Sequence, residues 1–579
     1  MKYRIIVTDR AKRIVEEMNF RRLLKQVCCP TLGHVGAERL EEFGAMFFHP
    51  MDRAELQEAI RRLKEVSEVP PFIVSDMECG PGNMIRGATK FTSMMGLSQA
   101  NSEELAYEVG RIAAAEAGEI GFNWTFSPVA DIASDADSPV VSTRSAGHKP
   151  EQVVKIAGGY MKGLQEHGMM ATIKHFPGDG FSSWDQHLTT PNLPLDAASW
   201  RNGPGRVFRE LIDQGAMAVM PGHIALPAFD EPDARGLYPP ATVSRKLLIE
   251  LLRQELGFEG LIVSDAINMG GVVGYMNYYD ACAAALTNGC DMLLFPQMDE
   301  RFYAEMERRH REGSLTLATL RDRASRIVSL KEQFGLFGAS SAGRGRERGE
   351  QAIAGRQPEG QEVPGQEIAG QKIAGQEIAA SNSAARSAGA EQEGAVPDKA
   401  ARAVAVAEAV SERSITIVRD REGLLPYRFT PATKVLHVVI VNNHDRYGEL
   451  WERMKREIGK YAGTVDQWLD PGPDALFQVA ADQAYDVMIC SIGGRLSYGL
   501  NVVRLHDEVA RNMMGGWTKL GTPVIFIAHF HPFVHKEYAA SIDTIVNTYG
   551  DIDCTAEQLL KAIAGAGERP INARLFAHD

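Results

Sequence analysis

Two stretches of this 579-residue chain carry side chains arranged for proton and bond chemistry. The first is GLIVSDAINMGG, residues 260–271, in which Asp265 closes an apolar run and precedes a small residue and a turn. A carboxylate held at the end of a rigid strand suits a nucleophile. An ionised Asp at a strand end equally caps a following helix, and the residue alone leaves both roles open. The second stretch is IKHFPGDGFSSWDQHLTTP, residues 173–191. Lys174 and His175 close an apolar run, Pro177, Gly178 and Gly180 force a turn, and the loop then presents Asp185 and His187 two positions apart. An Asp bonded to one imidazole nitrogen fixes the tautomer and raises the basicity of the other. That suits His187 to general acid/base work near neutral pH. A DxH on a loop is common, so a plain solvated loop stays the rival reading.

Such residues need elements that bring them together. Eight short apolar runs, QVCCP, GAMFFHP, PPFIVSD, FNWTFSPVAD, MMATIKHFPG, MAVMPGH, GLIVSDA and DMLLFP, are strand-like. Between most of them lie stretches such as RAELQEAIRRLKEV, SEELAYEVGRIAAAEAG, PEQVVKIAGGYMKGLQEHG and SRKLLIELLRQELG, apolar at helical spacing and closing near a glycine. Strand–helix alternation implies a parallel α/β sheet, and eight strands imply a (β/α)8 TIM-like barrel over residues 1–337. Barrel strands deliver their last residues to one mouth, here His49, Asp76, Asp131, Lys174, His175, His223 and Asp265.

Residues 338–398 differ in kind: rich in Gly, Ala, Ser, Gln and Glu, with GQEVP, GQEIA, GQKIA and GQEIA following one another from Gly360. Too few apolar side chains are present to offset ordering entropy, which predicts a flexible linker. Residues 399–579 open on a helix, KAARAVAVAEAVSERS, and continue through SITIVRD, KVLHVVIVN, YDVMICSI, TPVIFIAHF and TIVNTYG. This predicts a C-terminal three-layer α/β/α sandwich.

Composition closes off several functions. The 62 Lys and Arg against 75 Asp and Glu leave a net charge of −13, which argues against nucleic acid or an anionic membrane as partner. No apolar run approaches bilayer length, and the first residues hold no signal-peptide core. Seven cysteines without CxxC spacing form no disulfide framework, so a cytoplasmic location is expected. His49, Glu78 and His223 hint at a metal-dependent barrel, but no HxH ends the first strand and no metal is expected. His529, His531 and His535 in AHFHPFVHKEY read as a solvated loop in preference to a zinc site, and SIGGRLSYG as a turn lacking phosphate-loop spacing.

KHFPGDG followed four residues later by DQH resembles the KHFPGHG-x4-D-x-H signature of the β-N-acetylglucosaminidase branch of glycoside hydrolase family 3. PATVSRKLLIELLRQELGFEGLIVSDAINMGG is similar to that family's nucleophile region, PPFIVSDME to its sugar-binding strand, and FSPVADIASDADSPVVSTRSAG to the block that follows. DACAAALTNGCDMLLFP fits the stretch before its last barrel helices, so the resemblance covers most of the barrel. It implies that Asp265 is the nucleophile of a covalent glycosyl-enzyme. It makes His187 the acid/base, paired with Asp185, and places Asp76, Arg144, Lys174 and His175 around the terminal sugar. Carboxylate attack followed by hydrolysis retains configuration.

The implied activity is exo-hydrolysis of terminal β-linked N-acetylglucosamine from small carbohydrates, muropeptides or chitin fragments, without a cofactor; the oligomeric state stays open. A β-N-acetylglucosaminide phosphorylase is compatible with the dyad, because a neutral imidazole does not repel phosphate. The DxH argues against a β-glucosidase. A non-catalytic carbohydrate-binding protein is expected to have lost Asp265, the DxH or the Lys–His pair. Two departures stand out. Asp179 replaces a histidine usual in the family, either steadying the turn or altering the dyad's titration. MECGPGNMIRG replaces the more frequent EGGRVxR, which leaves Glu78 and Arg86 without a set role.

Overall fold

Spacing and caps set the helices of the first 337 residues. In Arg53–Val66 the buried residues are Leu56, Ile60 and Leu63, a single face at turns of the helix. Glu103–Ile120 begins where the Ser102 hydroxyl accepts the Leu105 N–H, and stops at Gly121, whose φ of 115° is left-handed. The computed structural model describes residues 2–32, 42–337, 399–441, 444–494, 499, 504–505, 507–512, 516–530, 532–537, 541–567 and 572–573. The stretch 338–398, expected as a linker, lies outside the described residues.

Between the helices run β1 (Cys28–Cys29), β2 (Ala45–Phe47), β3 (Phe72–Ser75), β4 (Trp124–Thr125), β5 (Met170–Phe176), β6 (Ala218–Pro221), β7 (Leu261–Ala266) and β8 (Met292–Leu294). Every residue of these strands is buried, as a parallel sheet covered on both faces requires. They pair in the order β1-β8-β7-β6-β5-β4-β3-β2. A parallel bridge between Thr31 and Phe47 brings the two ends together, with the Phe47 N–H donating to the Pro30 carbonyl at 2.9 Å. The result is the nearly closed barrel the alternation predicts. At its foot Asp291, fully buried, takes Arg253 at 2.8 Å and Arg326 at 2.9 Å, tying two helical segments to the start of β8.

A second sheet contains β9 (Thr416–Asp420), β10 (Lys434–Ile440), β11 (Thr464–Leu469), β12 (Val487–Ile492), β13 (Val524–Ala528), β14 (Thr544–Asn547) and β15 (Asn572–Ala573). Its order is β11-β10-β12-β13-β14-β9-β15, parallel except where β9 meets β14. Alternate residues of β10 face opposite cores. Val435 and Val439 pack with Leu450, Trp451, Met454 and Leu559, whereas Leu436, Val438 and Ile440 pack with Leu476, Val479 and Trp517. Full burial of each such side chain contributes about 1.5–3 kcal/mol. Helices therefore cover both faces, giving the expected three layers.

A row of polar side chains crosses the first of those faces. Gln467 Nε2 lies 2.9 Å from His437 Nδ1, and His437 Nε2 lies 2.9 Å from Ser491 Oγ. Ser491 Oγ lies 3.2 Å from His529 Nε2, and His529 Nδ1 lies 3.2 Å from Thr548 Oγ1. Thr548 donates to the Gly550 carbonyl at 3.1 Å. Burial pushes both imidazoles down to about 3. His529 is thus a fully buried rung of the sheet, contrary to the solvated loop expected from its neighbours. His531 lies outside the described residues.

Candidate active site

β5 delivers Lys174 and His175 to the barrel mouth, and the chain then turns, the Gly178 N–H donating to the His175 carbonyl at 2.7 Å. At Gly180, with φ of 92°, a Cβ would sit 2.1 Å from the Ile132 carbonyl oxygen, so only glycine fits. Lys174 Nζ lies 2.9 Å from Asp76 Oδ1, just past β3, and 2.8 Å from Glu78 Oε1. Arg144 forks onto Glu78 at 2.7 and 2.9 Å. Burial opposes ionisation of Glu78, but Arg144 and Lys174 outweigh it and hold the carboxyl far below the usual range. Burial likewise opposes the Lys174 charge, and Asp76 with Glu78 overcomes it and raises the ammonium above its usual range. The Asp76 side chain keeps 38% of its surface open, so it offers hydrogen-bond capacity outward while Lys174 anchors it.

His175 is gripped from behind. Its Nδ1 lies 2.7 Å from Asp131 Oδ2, and Asp131 Oδ1 accepts the backbone N–H groups of His175 at 3.0 Å and Asp179 at 2.7 Å. Its Nε2 lies 4.0 Å from Asp265 Oδ2. Asp265, near the end of β7, accepts the Ala266 N–H on Oδ1 at 2.8 Å. Burial alone would raise this carboxyl; the imidazoles of His175, His223 and His187 outweigh it and hold it below the usual carboxylate value. His223 is fully buried, with Nε2 2.9 Å from the Ala266 carbonyl and Nδ1 2.8 Å from the Thr242 hydroxyl. Desolvation lowers its pKa against the pull of the Asp265 carboxylate, and its two contacts brace the strand end.

Asp185 and His187 pair on the loop that follows β5. Asp185 Oδ1 lies 2.7 Å from His187 Nδ1 and accepts the His187 backbone N–H at 2.8 Å. With Nδ1–H turned to the carboxylate, the ring's tautomer is fixed and the basicity of Nε2 is raised. Oδ2 of Asp185 accepts the N–H of Gly499, which belongs to the part of the chain bearing the second sheet, at 2.6 Å. Burial would raise Asp185; the hydrogen bonds from His187 and from Gly499 bring it below its usual value. The loop is fastened to the segment after Asp265 by Gly270 N–H to the His187 carbonyl at 2.8 Å and Gly271 N–H to the Gln186 carbonyl at 3.0 Å.

Residues 33–330 match the glycosyl hydrolase family 3 N-terminal domain. The chain belongs to that family. It is a glycoside hydrolase. A β-N-acetylglucosaminidase/β-glucosidase of Cellulomonas fimi is 27% identical over 561 residues, 92% of this chain and 88% of that one. A β-hexosaminidase of Tolumonas auensis is 34% identical over 250 residues, 42% of this chain and 71% of its own. Among solved structures, a β-glucoside phosphorylase superposes with a TM-score of 0.81 at 22% identity, covering 100% of this chain and 98% of its own. A family 3 β-N-acetylglucosaminidase from a Paenibacillus species gives 0.73 at 22% identity, over 96% of this chain and 99% of its own. These two likenesses establish the shared architecture of barrel and second sheet domain.

In this glycoside hydrolase the expected site residues fall into two groups, the Asp76–Lys174–Arg144 cluster bridged by Glu78 and the set around Asp265. Asp131 was expected at the mouth as a strand end but given no role there, and Glu78 was left without a set role. Asp131 carried a signal, since it closes a strand-like run, whereas Glu78 lies in an irregular turn. Arg86 is exposed and pairs with Asp52 at 2.9 Å, outside the cluster. His49 is exposed, its ring edge-on to Phe47 at 5.1 Å. Asp179 is fully buried, with Oδ1 accepting the Gly180 N–H at 2.7 Å and Oδ2 3.3 Å from Gln186 Nε2. Burial, with Asp131 alongside, pushes its carboxyl up to about 8. Among the described residues no three His, Cys, Asp or Glu side chains converge as metal ligands, and no helix is long and apolar enough to cross a membrane.

Proposed function

We propose that this enzyme is a retaining exo-glycosidase that removes terminal non-reducing β-linked N-acetylglucosamine from small carbohydrates such as muropeptide or chitin fragments. The observation that carries the reading is the Asp185–His187 hydrogen bond, on a loop fastened to the segment just past Asp265. The relatives named β-hexosaminidase support the choice of sugar. An Asp265 oxygen attacks the anomeric carbon as the bond to the aglycone breaks, and the proton on His187 Nε2 passes to the departing oxygen. Water then attacks the same carbon, His187 Nε2 takes its proton, and the Asp265 carboxylate is released with configuration retained. Asp76, Lys174, Arg144 and His175 hold the sugar hydroxyls as positive charge develops at the anomeric carbon. The reading takes residues 1–337 as catalytic domain, 338–398 as tether and 399–579 as second domain. A cytoplasmic setting agrees with seven free thiols.

The test is turnover of p-nitrophenyl N-acetyl-β-glucosaminide beside the matching β-glucoside, with and without phosphate, for the parent and Asp265→Ala. Free N-acetylglucosamine unaffected by phosphate is expected, with Asp265→Ala reduced about 10⁴-fold or more while still binding sugar. A sugar 1-phosphate product makes the enzyme a phosphorylase, and cleavage of the glucoside alone overturns the choice of sugar. A fully active Asp265→Ala removes the nucleophile assignment.

A further inference from the structure

We propose that the part of the chain bearing the second sheet completes the acid/base dyad, with Gly499 acting as a positioning residue whose backbone N–H orients Asp185 behind His187. The inference rests on the reading of Asp185 and His187 given above. Residues 185 and 499 lie 314 positions apart, yet N and Oδ2 stand 2.6 Å from each other. Asp185 is only 2% exposed, so solvent is poorly placed to replace a lost donor. Both donors of His187 converge on Oδ1. A carboxylate held through one oxygen alone can swing about its terminal torsion. Anchoring Oδ2 from the opposite side fixes the carboxylate plane, and through it the direction in which His187 Nε2 points. Gly499 has a φ of 73°, which a residue without Cβ adopts at no steric cost.

The contact is one of several that seat this part of the chain on the barrel mouth. Arg504 pairs with Asp137 Oδ1 at 2.8 Å, and the Ser93 N–H donates to the Tyr549 carbonyl at 3.1 Å. Phe533 and Tyr549 pack in one apolar cluster with Met95, Ala133, Val140 and Val141. Those barrel residues include the segment that runs from Asp131 to Arg144. Contacts from this part of the chain thus reach both the Asp185 loop and the segment that leads to Arg144.

The test compares Gly499→Pro, which lacks the N–H and whose ring holds φ near about −65°, with Gly499→Ala, which keeps the N–H and is strained at the native φ of 73°. Values of kcat/KM are taken on dinitrophenyl and on unsubstituted phenyl N-acetyl-β-glucosaminides, with His187→Ala alongside. An activated aryl group leaves without much protonation, so a misdirected acid harms the phenyl substrate most. Gly499→Pro should lose about 10–100-fold on the phenyl glycoside and under about 5-fold on the dinitrophenyl one, while Gly499→Ala retains the parent ratio. The ratio between substrates does not depend on how much protein folds. Equal losses on both substrates, or none, overturn the positioning role. A His187→Ala loss that is itself blind to the leaving group overturns the dyad reading, and this inference with it.

Discussion

Asp179 and Asp265 are both buried aspartates near the same mouth, and their surroundings drive them apart. Imidazoles face Asp265 and favour its ionised form, as the proposed attack requires, whereas Asp179 sits beside the Asp131 carboxylate and is pushed up to about 8. A carboxyl raised in the fold keeps its proton after the unfolded chain has released it. Folding is therefore favoured least by Asp179 at high pH: stability falls as pH climbs from about 4 towards about 8, by up to ~1.4 kcal/mol per unit. Asp179→Asn removes this titration, and its urea midpoint should vary less between about pH 5 and 7.5 than that of the parent. An equally steep variant sinks the argument. At this scale residue type and strand ends pointed to Asp265, the Lys–His pair and the DxH. The Gly499 contact left no trace in the sequence, because a backbone N–H is common to every residue except proline.

At the scale of elements, the polar row through Gln467, His437, Ser491, His529 and Thr548 puts one rung on each of five adjacent strands or their ends. Ser491 serves both imidazoles at once. Ser491→Ala leaves a nitrogen of each buried ring without its hydroxyl partner, and should lower unfolding stability by about 2–4 kcal/mol. Denaturant titration checks this, and a change below ~0.5 kcal/mol would falsify the role assigned to the row. The strands on which these side chains sit were legible where apolar residues run together. β11, TVDQWL, was not: as an edge strand its residues are all exposed or half-buried, so it needs no apolar run. β15 has two residues and offers no period to read. The short β1 and β2 were legible because full burial made even these two- and three-residue strands apolar.

At the scale of the whole molecule, barrel and second sheet form one compact unit. Composition marked out 338–398 between them but carried no hint of their union, since Met95, Val140, Val141 and Phe533 look like ordinary core residues. The apolar cluster should dominate that union. Tyr549 is 5% exposed, whereas the Arg504–Asp137 pair keeps 56% and 48% of its side-chain surface in solvent, where ion pairs contribute little. Calorimetry of Tyr549→Ala should resolve two unfolding transitions where the parent and Asp137→Asn each show one. A single transition in all three proteins would place the coupling elsewhere.

The separation of 314 positions between Asp185 and Gly499 also acts in time. A ribosome adding about 5–20 residues each second needs roughly 15–60 s to travel from one to the other. Once Asp265 has been added, the nascent chain holds the proposed nucleophile and the proposed sugar-binding charges of Asp76, Arg144, Lys174 and His175, but until Gly499 follows, the proposed proton shuttle lacks one anchor. Order of synthesis thereby becomes a delay before competence. On the proposed roles, a polypeptide that terminates before Gly499 should grip sugar without handling the leaving group well, leaving full turnover to chains that extend past it.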